Sequence, residues 1–433
     1  MNRILSKDLK NHSGEDVLIK GHLFQKRIMG KINFLIIRDK EGLIQVVLKD
    51  KNEIDKIESI MDESVLYITG KCIYDKRAIN EAEIHDPKIE VVSKVKEPLK
   101  IEINKPEIHA NLDTLFNNRA VVLRAPQKRA IFKIQSIMVQ AFRDYAIENG
   151  STEIFPPTIV GTATEGGAEL FEIKYYDKKA YLAQSAQLYK QIMVGVFEKV
   201  FGTAHSYRAE KFGTSRHMSE FIQYEWEMGF IESYMDIVNS AIDIIKYMKK
   251  NIEEKCSDEI KLLNIELPTL PKKIPVIKFR EAQKLIKDKK GIDNTSEIDL
   301  SPMDEKMISE ITKEEYQSDL IVITHFPRVK TAFYSMPDPE DEEYTLSFDF
   351  ILRGEEILSG SQRINDYENL IESIKRKSLN PNDFESYTEI FKFGMPPEGG
   401  FGMGVERLTQ QFLSIENVKE ASLFPRDVKR ITP

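Results

Sequence analysis

The sequence is poor in the residues and segments that mark secreted, metal-bound or membrane proteins. Its 433 residues include only two cysteines, Cys72 and Cys256, which lie far apart and offer no metal-ligand spacing. So few cysteines are typical of a protein from a reducing compartment. No apolar run approaches the ~20 residues that span a bilayer, and the N-terminus is too polar for a secretory signal. We therefore expect a cytoplasmic protein with no membrane partner.

The chain also lacks an overall excess of positive charge. Its formal net charge is -8, which argues only weakly against a nucleic-acid partner, because binding depends on local patches. Residues 1–50 hold ten lysines and arginines against six aspartates and glutamates. This segment is a candidate nucleic-acid surface, and an ordinary solvated face is the alternative.

Residues 1–100 carry the pattern of a small β-barrel. Charged or glycine-containing segments separate the short β-rich runs, which stand at residues 17–19, 33–38, 43–48 and 65–69. A barrel of the oligonucleotide-binding type is one fold with this pattern, and a β-sandwich is the alternative left open. Residues 101–129, punctuated by Pro106 and Pro126, are interpreted as a hinge or linker.

Residues 130–433 show the pattern of an α+β domain. Apolar residues recur at helical spacing from Ile131 to Tyr145, and Asn149-Gly150 is a typical helix stop. A second amphipathic helix is predicted over residues 231–252. Helices and strands in this mixture favour an antiparallel sheet with helices packed on it over a doubly wound sheet.

The middle of this domain carries no recognisable chemistry. Residues 253–320 are lysine-rich and are predicted to form a helical insertion. Strand-like segments return at 320–335 and 346–353, and helices are predicted at 366–377 and from about residue 404.

A cluster from Arg208 to Phe221 contains the groups that can hold a nucleoside triphosphate without a glycine-rich phosphate loop. Arg208 can pair with a phosphate through its planar fork, and Glu210 can accept hydrogen bonds from a base amino group. Arg216-His217 could reach terminal phosphates, and Phe221 could stack on a purine. Each residue alone is more often part of a surface ion pair or of the core, but their joint spacing favours an ATP site.

A glycine-rich turn precedes Glu406-Arg407 near the end of the chain. Its alternating glycines are Gly400, Gly402 and Gly404. Glycine allows a backbone to approach a ligand closely, and Arg407 could stack on or pair with that ligand. The turn is not a dinucleotide fingerprint, because Val405 stands where the third glycine would be needed. A tight turn ahead of a helix is the simpler alternative.

Two further pairs suggest binding sites. Asp349 and Glu356 could share a Mg²⁺ if a turn at Gly354 brings them to one face. Lys190 is a cation in an apolar and amide-rich segment, and with Arg363 it could form a doubly positive pocket for a small carboxylate. An exposed helix lysine is the alternative for Lys190.

These residues resemble the motifs of class II aminoacyl-tRNA synthetases, most closely the aspartyl-tRNA synthetases of the archaeal and eukaryotic type. The resemblance covers essentially the whole chain. It rests on residues 153–157, 207–227 and 402–407, which resemble the three class II motifs, and on 164–171, 187–191, 359–363 and 423–427. It implies an N-terminal five-stranded oligonucleotide-binding barrel for the anticodon. It also implies a class II catalytic domain with an antiparallel sheet flanked by helices, and a homodimer joined through the first motif.

The resemblance implies ATP as a substrate, with Mg²⁺. Arg208 would hold the α-phosphate, Glu210 and Phe221 the adenine, and His217 and Arg407 the terminal phosphates and adenine. The implied ATP-binding set is Arg208, Ala209, Glu210, Arg216, His217, Met218, Phe221, Glu356, Gly404, Val405, Glu406 and Arg407. The implied catalytic residues are Arg208, Glu356 and Arg407.

The resemblance implies L-aspartate as the amino acid. The implied aspartate-binding set is Glu165, Gln187, Lys190, Arg208, Glu225, Ser359 and Arg363, and the implied metal set is Asp349, Glu356 and Ser359. Glu165 would bind the α-amino group, while Lys190 and Arg363 would read the β-carboxylate. Two cations favour a carboxylate over a neutral amide, so this pair predicts aspartate rather than asparagine.

The implied partner is tRNA. After aspartate attacks the α-phosphate of ATP, a terminal ribose hydroxyl of tRNA would attack the aspartyl-adenylate. Phe34 and Gln45 match positions that the family uses on the anticodon, and Arg27 would add a phosphate contact. From sequence pattern alone, the alternative that Phe34 packs in the barrel core is favoured over an anticodon contact. The choice between tRNA-Asp alone and both tRNA-Asp and tRNA-Asn is left open, because it depends on loops near Phe24 and at residues 78–84.

Three positions depart from the aspartyl pattern. Glu225 stands where aspartyl members commonly have Asp, Ala186 replaces a common proline, and Glu398 stands where histidine is usual. The first two occur in asparaginyl members, so an asparaginyl-tRNA synthetase is the first alternative, although those enzymes lack a cation at Lys190. A tRNA-independent amide-forming paralogue is disfavoured by the intact barrel. A non-catalytic RNA-binding protein is disfavoured by the complete ATP set.

Overall fold

The chain divides into two units in a computed structural model, Met1–Pro126 and Gln127–Pro433. The structure describes residues 1–29, 32–105, 107–162 and 169–432. Strands and helices are labelled below in chain order. No helix in these ranges is long and apolar enough to cross a bilayer.

The first unit contains a closed five-stranded barrel with strand order β1-β2-β3-β5-β4. Its strands are β1 (Asp16–Met29), β2 (Ile32–Arg38), β3 (Leu43–Leu48), β4 (Val65–Tyr74) and β5 (Ala82–Ser93). Helix α1 (Lys51–Glu58) lies between β3 and β4. Leu35, Ile37, Ile44 and Val46 point into the core, as the period of two along each strand requires. The predicted barrel is confirmed, and the sandwich alternative is wrong.

The segment predicted to be a hinge contains local structure. Helices α2 (Leu112–Asn117) and α3 (Arg119–Val122) lie within it. Ile101, Ile103, Leu115 and Val122 form a small apolar cluster with Ala125. Residues 101–105 and 107–129 therefore contain local structure, and the role of the segment as a hinge stays a prediction.

The second unit is built on an eight-stranded sheet with order β12-β13-β14-β15-β16-β11-β10-β6. Its strands are β6 (Thr152–Glu153), β10 (Lys199–Tyr207), β11 (Glu220–Gly229), β12 (Val276–Lys278), β13 (Leu320–Thr324), β14 (Ser347–Leu352), β15 (Glu355–Gln362) and β16 (Glu398–Gly404). The pairings from β13 through to β10 are antiparallel, as predicted. One parallel strand is added at each edge, so the sheet is mixed. A smaller sheet contains β7 (Ile159–Val160), β8 (Glu172–Tyr175) and β9 (Lys178–Leu182).

Helices flank this sheet, as the α+β prediction requires. They are α4 (Pro126–Glu148), α5 (Gln187–Phe197), α6 (Tyr234–Lys255), α7 (Ser257–Leu263), α8 (Phe279–Lys290), α9 (Pro302–Tyr316), α10 (Tyr367–Arg376), α11 (Glu385–Thr388) and α12 (Val405–Leu413). The buried faces of α4 and α6 share one core with the sheet, in which Trp226 stacks on Phe401 with ring centroids 6.5 Å apart. Residues 253–320 are largely helical, but they also contain the edge strand β12.

Candidate active site

A cavity of about 750 Å³ opens in the second unit. Of the predicted site residues, it is lined by Gln187, Lys190, Arg208, Glu210, Arg216, His217, Met218, Phe221, Glu225, Asp349, Glu356, Ser359, Arg363, Gly404, Glu406 and Arg407. Val405 lies instead in the hydrophobic core, and Ala209 donates its backbone N–H to the Glu169 carbonyl at 2.9 Å. Glu165 lies outside the described residues. Ten of these sixteen residues lie on α5, β11, β14, β15, β16 and α12, five lie on the loop between β10 and β11, and Arg363 directly follows β15.

Strands β10 and β11 form the wall at one end of the cavity. Ser206 pairs with Phe221 across the two strands, and residues 208–219 form the loop that joins them. The Arg208 guanidinium lies over the Phe221 ring, with Cζ 5.4 Å from the ring centroid. Stacking of this kind orients a guanidinium.

His217 has a lowered pKa in the loop between β10 and β11. Burial lowers its pKa below 6.5, and the nearby Arg407 and Arg216 act in the same direction while Glu210 opposes them. Its Nδ1 lies 2.6 Å from Thr214 Oγ1, and Nε2 lies 3.9 Å from Glu210 Oε2. His217 is therefore suited to hydrogen bonding rather than to supplying a fixed positive charge.

Two arginines converge on a pair of adjacent glutamates at the β14–β15 hairpin. Arg216 Nε lies 3.3 Å and Arg407 Nε lies 3.6 Å from Glu355 Oε1. Arg407 Nη1 also donates to the Glu356 carbonyl at 3.0 Å. Arg216 also forms an ion pair with a second carboxylate, that of Glu305 on helix α9. Residues 253–320 therefore do carry site chemistry, and the expectation that they have none is wrong.

Asp349 and Glu356 lie on the two strands of one hairpin. Arg353 and Gly354 form its turn, both with positive φ, so the predicted turn at Gly354 is confirmed. Asp349 pairs with Ser359 across the strands. Burial raises the pKa of Asp349 well above 3.8, and the charge of Glu356 raises it further while a hydrogen bond from Ser359 lowers it.

Two neighbouring carboxylates fit a divalent metal, and Arg407 Nη1 lies 3.6 Å from Glu356 Oε1 beside them. In the described ranges no group of three or more His, Cys, Asp or Glu could hold a metal ion. Mg²⁺ favours one or two carboxylates together with phosphate oxygens and water. The donor set of Asp349 and Glu356 therefore fits Mg²⁺ bound with a phosphate ligand.

The other end of the cavity holds both predicted cations. Lys190 is 2% exposed, which rules out the alternative of an exposed helix lysine. Its Nζ contacts Glu225 Oε2 at 2.8 Å, Glu227 Oε2 at 3.1 Å and the Phe401 carbonyl at 2.8 Å. Arg363 Nε binds Glu227 Oε1 at 2.7 Å. The pocket is not doubly positive as predicted, because Glu225 and Glu227 neutralise its two cations.

A polar chain lies behind these ion pairs. Arg363 Nη2 donates to Gln187 Oε1 at 3.1 Å, and Gln187 Nε2 donates to Gln191 Oε1 at 2.9 Å. Gln191 Nε2 in turn donates to Glu398 Oε1 at 3.0 Å. Tyr387 adds a second donor to Gln191 Oε1 at 3.0 Å. Glu398 thus supports the pocket through two glutamines.

Glu398 is a fully buried acid with a raised pKa. Burial raises its pKa well above 4.5, and the charge of Glu227 acts in the same direction, whereas Gln191, Arg363 and Lys190 oppose it. Its Oε2 has no hydrogen-bond partner among the described residues. The two cations of the pocket, Lys190 and Arg363, form their ion pairs with Glu225 and Glu227.

The glycines of β16 serve the sheet as well as the cavity. A Cβ at Gly400 would lie 2.1 Å from both the Trp226 carbonyl and Glu227 Oε2. Gly400 thus permits close approach to β11 rather than to a ligand. Glu406 follows in α12 and accepts from the Ile222 backbone N–H at 3.1 Å. Burial raises the pKa of Glu406 to about 7.

Three site residues escaped the sequence predictions: Glu227, Glu305 and Glu398. Glu227 lies two positions from Glu225 on β11, so strand alternation could have identified it. Glu398 was noticed only as a departure from the family pattern. Glu305 has no local signal, because its partner Arg216 is 89 positions away.

In the barrel, the predicted anticodon residues share the outer face of adjacent strands. Phe34 is half-buried and lies opposite the core positions of β2, so its interpretation as a core residue is wrong. It pairs with the exposed Arg27 across β1 and β2. Gln45 Nε2 donates to Glu83 Oε2 at 2.8 Å, and Glu83 Oε1 lies 2.6 Å from His85 Nε2.

Comparisons with known proteins agree with this architecture. The family model described as "tRNA synthetases class II (D, K and N)" matches residues 111–428, and "OB-fold nucleic acid binding domain" matches residues 17–92. A Thermus thermophilus protein named aspartate–tRNA(Asp/Asn) ligase is 42% identical, with 100% of each chain covered. A Pyrococcus horikoshii protein named aspartate–tRNA(Asp) ligase is 38% identical, with 97% of each covered.

A solved structure extends the likeness to three dimensions. The asparaginyl-tRNA synthetase of Pyrococcus horikoshii, complexed with asparaginyl-adenylate, superposes with a TM-score of 0.93 at 32% identity, and 100% of each chain is covered. The family model spans most of this chain, and the relatives span it from end to end. The chain therefore belongs to the class II tRNA synthetases of the D, K and N group.

Proposed function

We propose that the protein is an aspartate–tRNA ligase, which activates L-aspartate with ATP and transfers it to the 3′ end of tRNA-Asp. The observation that carries the proposal is the joint burial of Lys190 and Arg363 at the end of the cavity away from Arg208 and Phe221. The relative named for both tRNA-Asp and tRNA-Asn supports tRNA-Asn as a second acceptor.

The balanced charges of the pocket define how aspartate would bind. Lys190 uses its three N–H donors on Glu225, Glu227 and Phe401. Arg363 Nη1 donates one hydrogen bond, to Ser361 Oγ at 2.6 Å. Among the described contacts this leaves the second N–H of Nη1 for a ligand. The β-carboxylate would take this donor and compete with Glu225 for Lys190.

Arg208 would hold the α-phosphate and the substrate carboxylate, so that the carboxylate oxygen attacks phosphorus in line with the departing pyrophosphate. The reaction needs no covalent enzyme intermediate. Positioning and electrostatic stabilisation by Arg208 and Arg407 supply the catalysis. The terminal ribose hydroxyl of tRNA then attacks the acyl carbon and releases AMP.

Mg²⁺ would be held by Asp349 and Glu356, with Ser359 positioning Asp349. The metal would neutralise charge on the phosphate oxygens. Both carboxylates would act from the β14–β15 hairpin, where Asp349 pairs with Ser359 across the strands.

The remaining assignments follow from the family. Residues 1–100 would bind the anticodon, 101–129 would form the hinge, and 130–433 would form the catalytic domain of a cytoplasmic enzyme. Phe155 lies in the segment that resembles the first class II motif, and its side chain is 84% exposed. An aromatic residue so exposed fits a surface covered by a second copy in a homodimer.

The test is ATP–pyrophosphate exchange with aspartate and with asparagine, followed by aminoacylation of tRNA-Asp and tRNA-Asn. We expect exchange with aspartate, and loss of that exchange in Lys190→Ala but not in the exposed control Lys250→Ala. Absence of aspartate-dependent exchange in the purified wild-type protein would overturn the proposal.

An asparaginyl-tRNA synthetase is the second candidate. Neutralisation of both cations by Glu225 and Glu227 favours it, because a balanced pocket imposes a smaller penalty on a neutral amide. Exchange with asparagine in place of aspartate would establish it.

A further inference from the structure

Helix α9 places one acidic side chain beside the proposed triphosphate site. Its first turn carries Glu305, which is 8% exposed. The helix begins with the N-cap Ser301, whose hydroxyl accepts from the Asp304 backbone N–H, and with Pro302. These features fix the helix start, and thereby the direction in which Glu305 projects.

Glu305 contacts two functional elements at once. Its Oε2 forms an ion pair with Arg216 Nη2. The same oxygen accepts the backbone N–H of Glu356 at 3.1 Å. One carboxylate oxygen therefore connects the loop between β10 and β11 with the proposed metal ligand on β15.

Arg216 is held from two sides as a result. Glu305 binds Nη2, and Glu355 lies 3.3 Å from Nε. Among the described residues, its contacts use these two nitrogens and leave Nη1 for a ligand. Gln411 Nε2 fixes the other oxygen of Glu355 at 2.7 Å. The guanidinium is thus oriented before any phosphate arrives.

We propose that Glu305 is a positioning residue for the terminal phosphates of ATP, which acts by holding Arg216 with its Nη1 edge toward the cavity. The inference rests on the proposed function, since it takes the cavity to be the ATP site. A long arginine on a loop loses rotamer freedom when it binds a ligand, and a side chain ordered in advance avoids that cost. Glu305 touches neither substrate in this scheme and acts only through Arg216.

AMP distinguishes this role from a general structural one. AMP lacks the β- and γ-phosphates, so it does not need Arg216. If Glu305 only supports the fold, its removal should weaken ATP and AMP alike. If it positions Arg216, its removal should weaken ATP alone.

The experiment is equilibrium dialysis of ATP and of AMP, without amino acid, against the full-length protein. We expect Glu305→Ala to weaken ATP binding about three- to tenfold, the range that ordering one long side chain represents, and to leave AMP binding unchanged. Glu305→Gln should recover most of the affinity for ATP, because the amide oxygen can still accept from Arg216 and from Glu356. Glu310→Ala, an exposed glutamate on the same helix, is the matched control and should change neither ligand.

A double variant completes the test. In an Arg216→Ala background, Glu305→Ala should add no further loss of ATP affinity, since the residue it acts through is gone. Unchanged or tighter ATP binding in Glu305→Ala would overturn the inference, as would equal losses for ATP and AMP or additive losses in the double variant. If Glu305→Ala does not fold, Glu305→Gln with ATP affinity as low as that of Arg216→Ala would also overturn it. Failure of the wild-type protein to bind ATP would instead overturn the proposed function.

Discussion

Lys190 and Glu225 form a buried ion pair, with Nζ 2.8 Å from Oε2 and the two side chains 2% and 4% exposed. Removing one partner of such a pair leaves an uncompensated buried charge, which costs about 3–5 kcal/mol. Lys190→Met should therefore lower the free energy of unfolding by about this amount and abolish aspartate-dependent pyrophosphate exchange. Urea unfolding and exchange kinetics measure the two effects separately.

The double variant Lys190→Met/Glu225→Gln separates fold from function. It removes both charges, so most of the lost stability should return. Exchange with aspartate should stay absent, because the cation that would read the β-carboxylate is still missing. Recovery of exchange together with stability would show that Lys190 acts on the fold alone.

Glu398 should make the protein less stable as pH rises. Burial holds its pKa well above 4.5 in the folded chain, so the folded state keeps a proton that the unfolded state loses above about pH 4.3. From there up to the folded pKa, the contribution of Glu398 to the free energy of unfolding should fall by about 1.4 kcal/mol per pH unit. Glu398→Gln is neutral at every pH and should remove this decline.

The measurement is urea unfolding of wild type and Glu398→Gln at several pH values above 5. The stability of the variant relative to wild type should rise with pH, while Glu389→Gln, an exposed substitution on the same domain, should show no such trend. A constant difference would mean that Glu398 is ionised in the folded protein.

The contrast between β3 and β5 shows what sequence pattern can and cannot provide. β3 has five apolar residues and only one polar residue, Gln45, and it was predicted with its bounds, Leu43–Leu48. β5 carries five charged residues or histidines and Pro87 within AEIHDPKIEVVS, so the alternation of apolar and polar residues is obscured. The side chains of the loop between β10 and β11 could be predicted to lie together because they are close in sequence. Glu305 was not, because only the folding of α9 against β15 brings it to Arg216.

The pairing of charges in the pocket was equally hidden. Lys190 and Arg363 could be singled out as cations, but their neutralisation depends on β11 lying beside both α5 and β16. A charge balance is a property of the folded site, and no local pattern reports it. The sequence therefore predicted which side chains meet more successfully than the net charge they create.

Phe34 offers a test of the barrel surface. Stacking of one base on an aromatic ring contributes about 1–3 kcal/mol, so Phe34→Ala should raise the KM for tRNA in aminoacylation by about 5- to 150-fold. Pyrophosphate exchange should not change, because amino-acid activation occurs in the other unit and needs no anticodon. Tyr74→Ala is the control, since Tyr74 is a 46% exposed aromatic residue of the same barrel. Equal effects of the two substitutions would argue against a specific role for Phe34.

Asp349 should have opposite effects on stability without and with metal. In EDTA its carboxylate and that of Glu356 repel each other in a buried site, so Asp349→Asn should raise Tm. With Mg²⁺ and ATP the wild-type protein gains stability by ligand linkage, RT ln(1 + [L]/Kd). Asp349→Asn should gain less, because a carboxylate ligand has been replaced by a neutral amide. Differential scanning calorimetry measures both conditions, and the exposed Asp341→Asn serves as the matched control.

In pyrophosphate exchange assays, Asp349→Asn should need a higher Mg²⁺ concentration than wild type to reach half of its maximal rate. An equal gain in Tm for wild type and Asp349→Asn on adding Mg²⁺ and ATP would place the metal elsewhere.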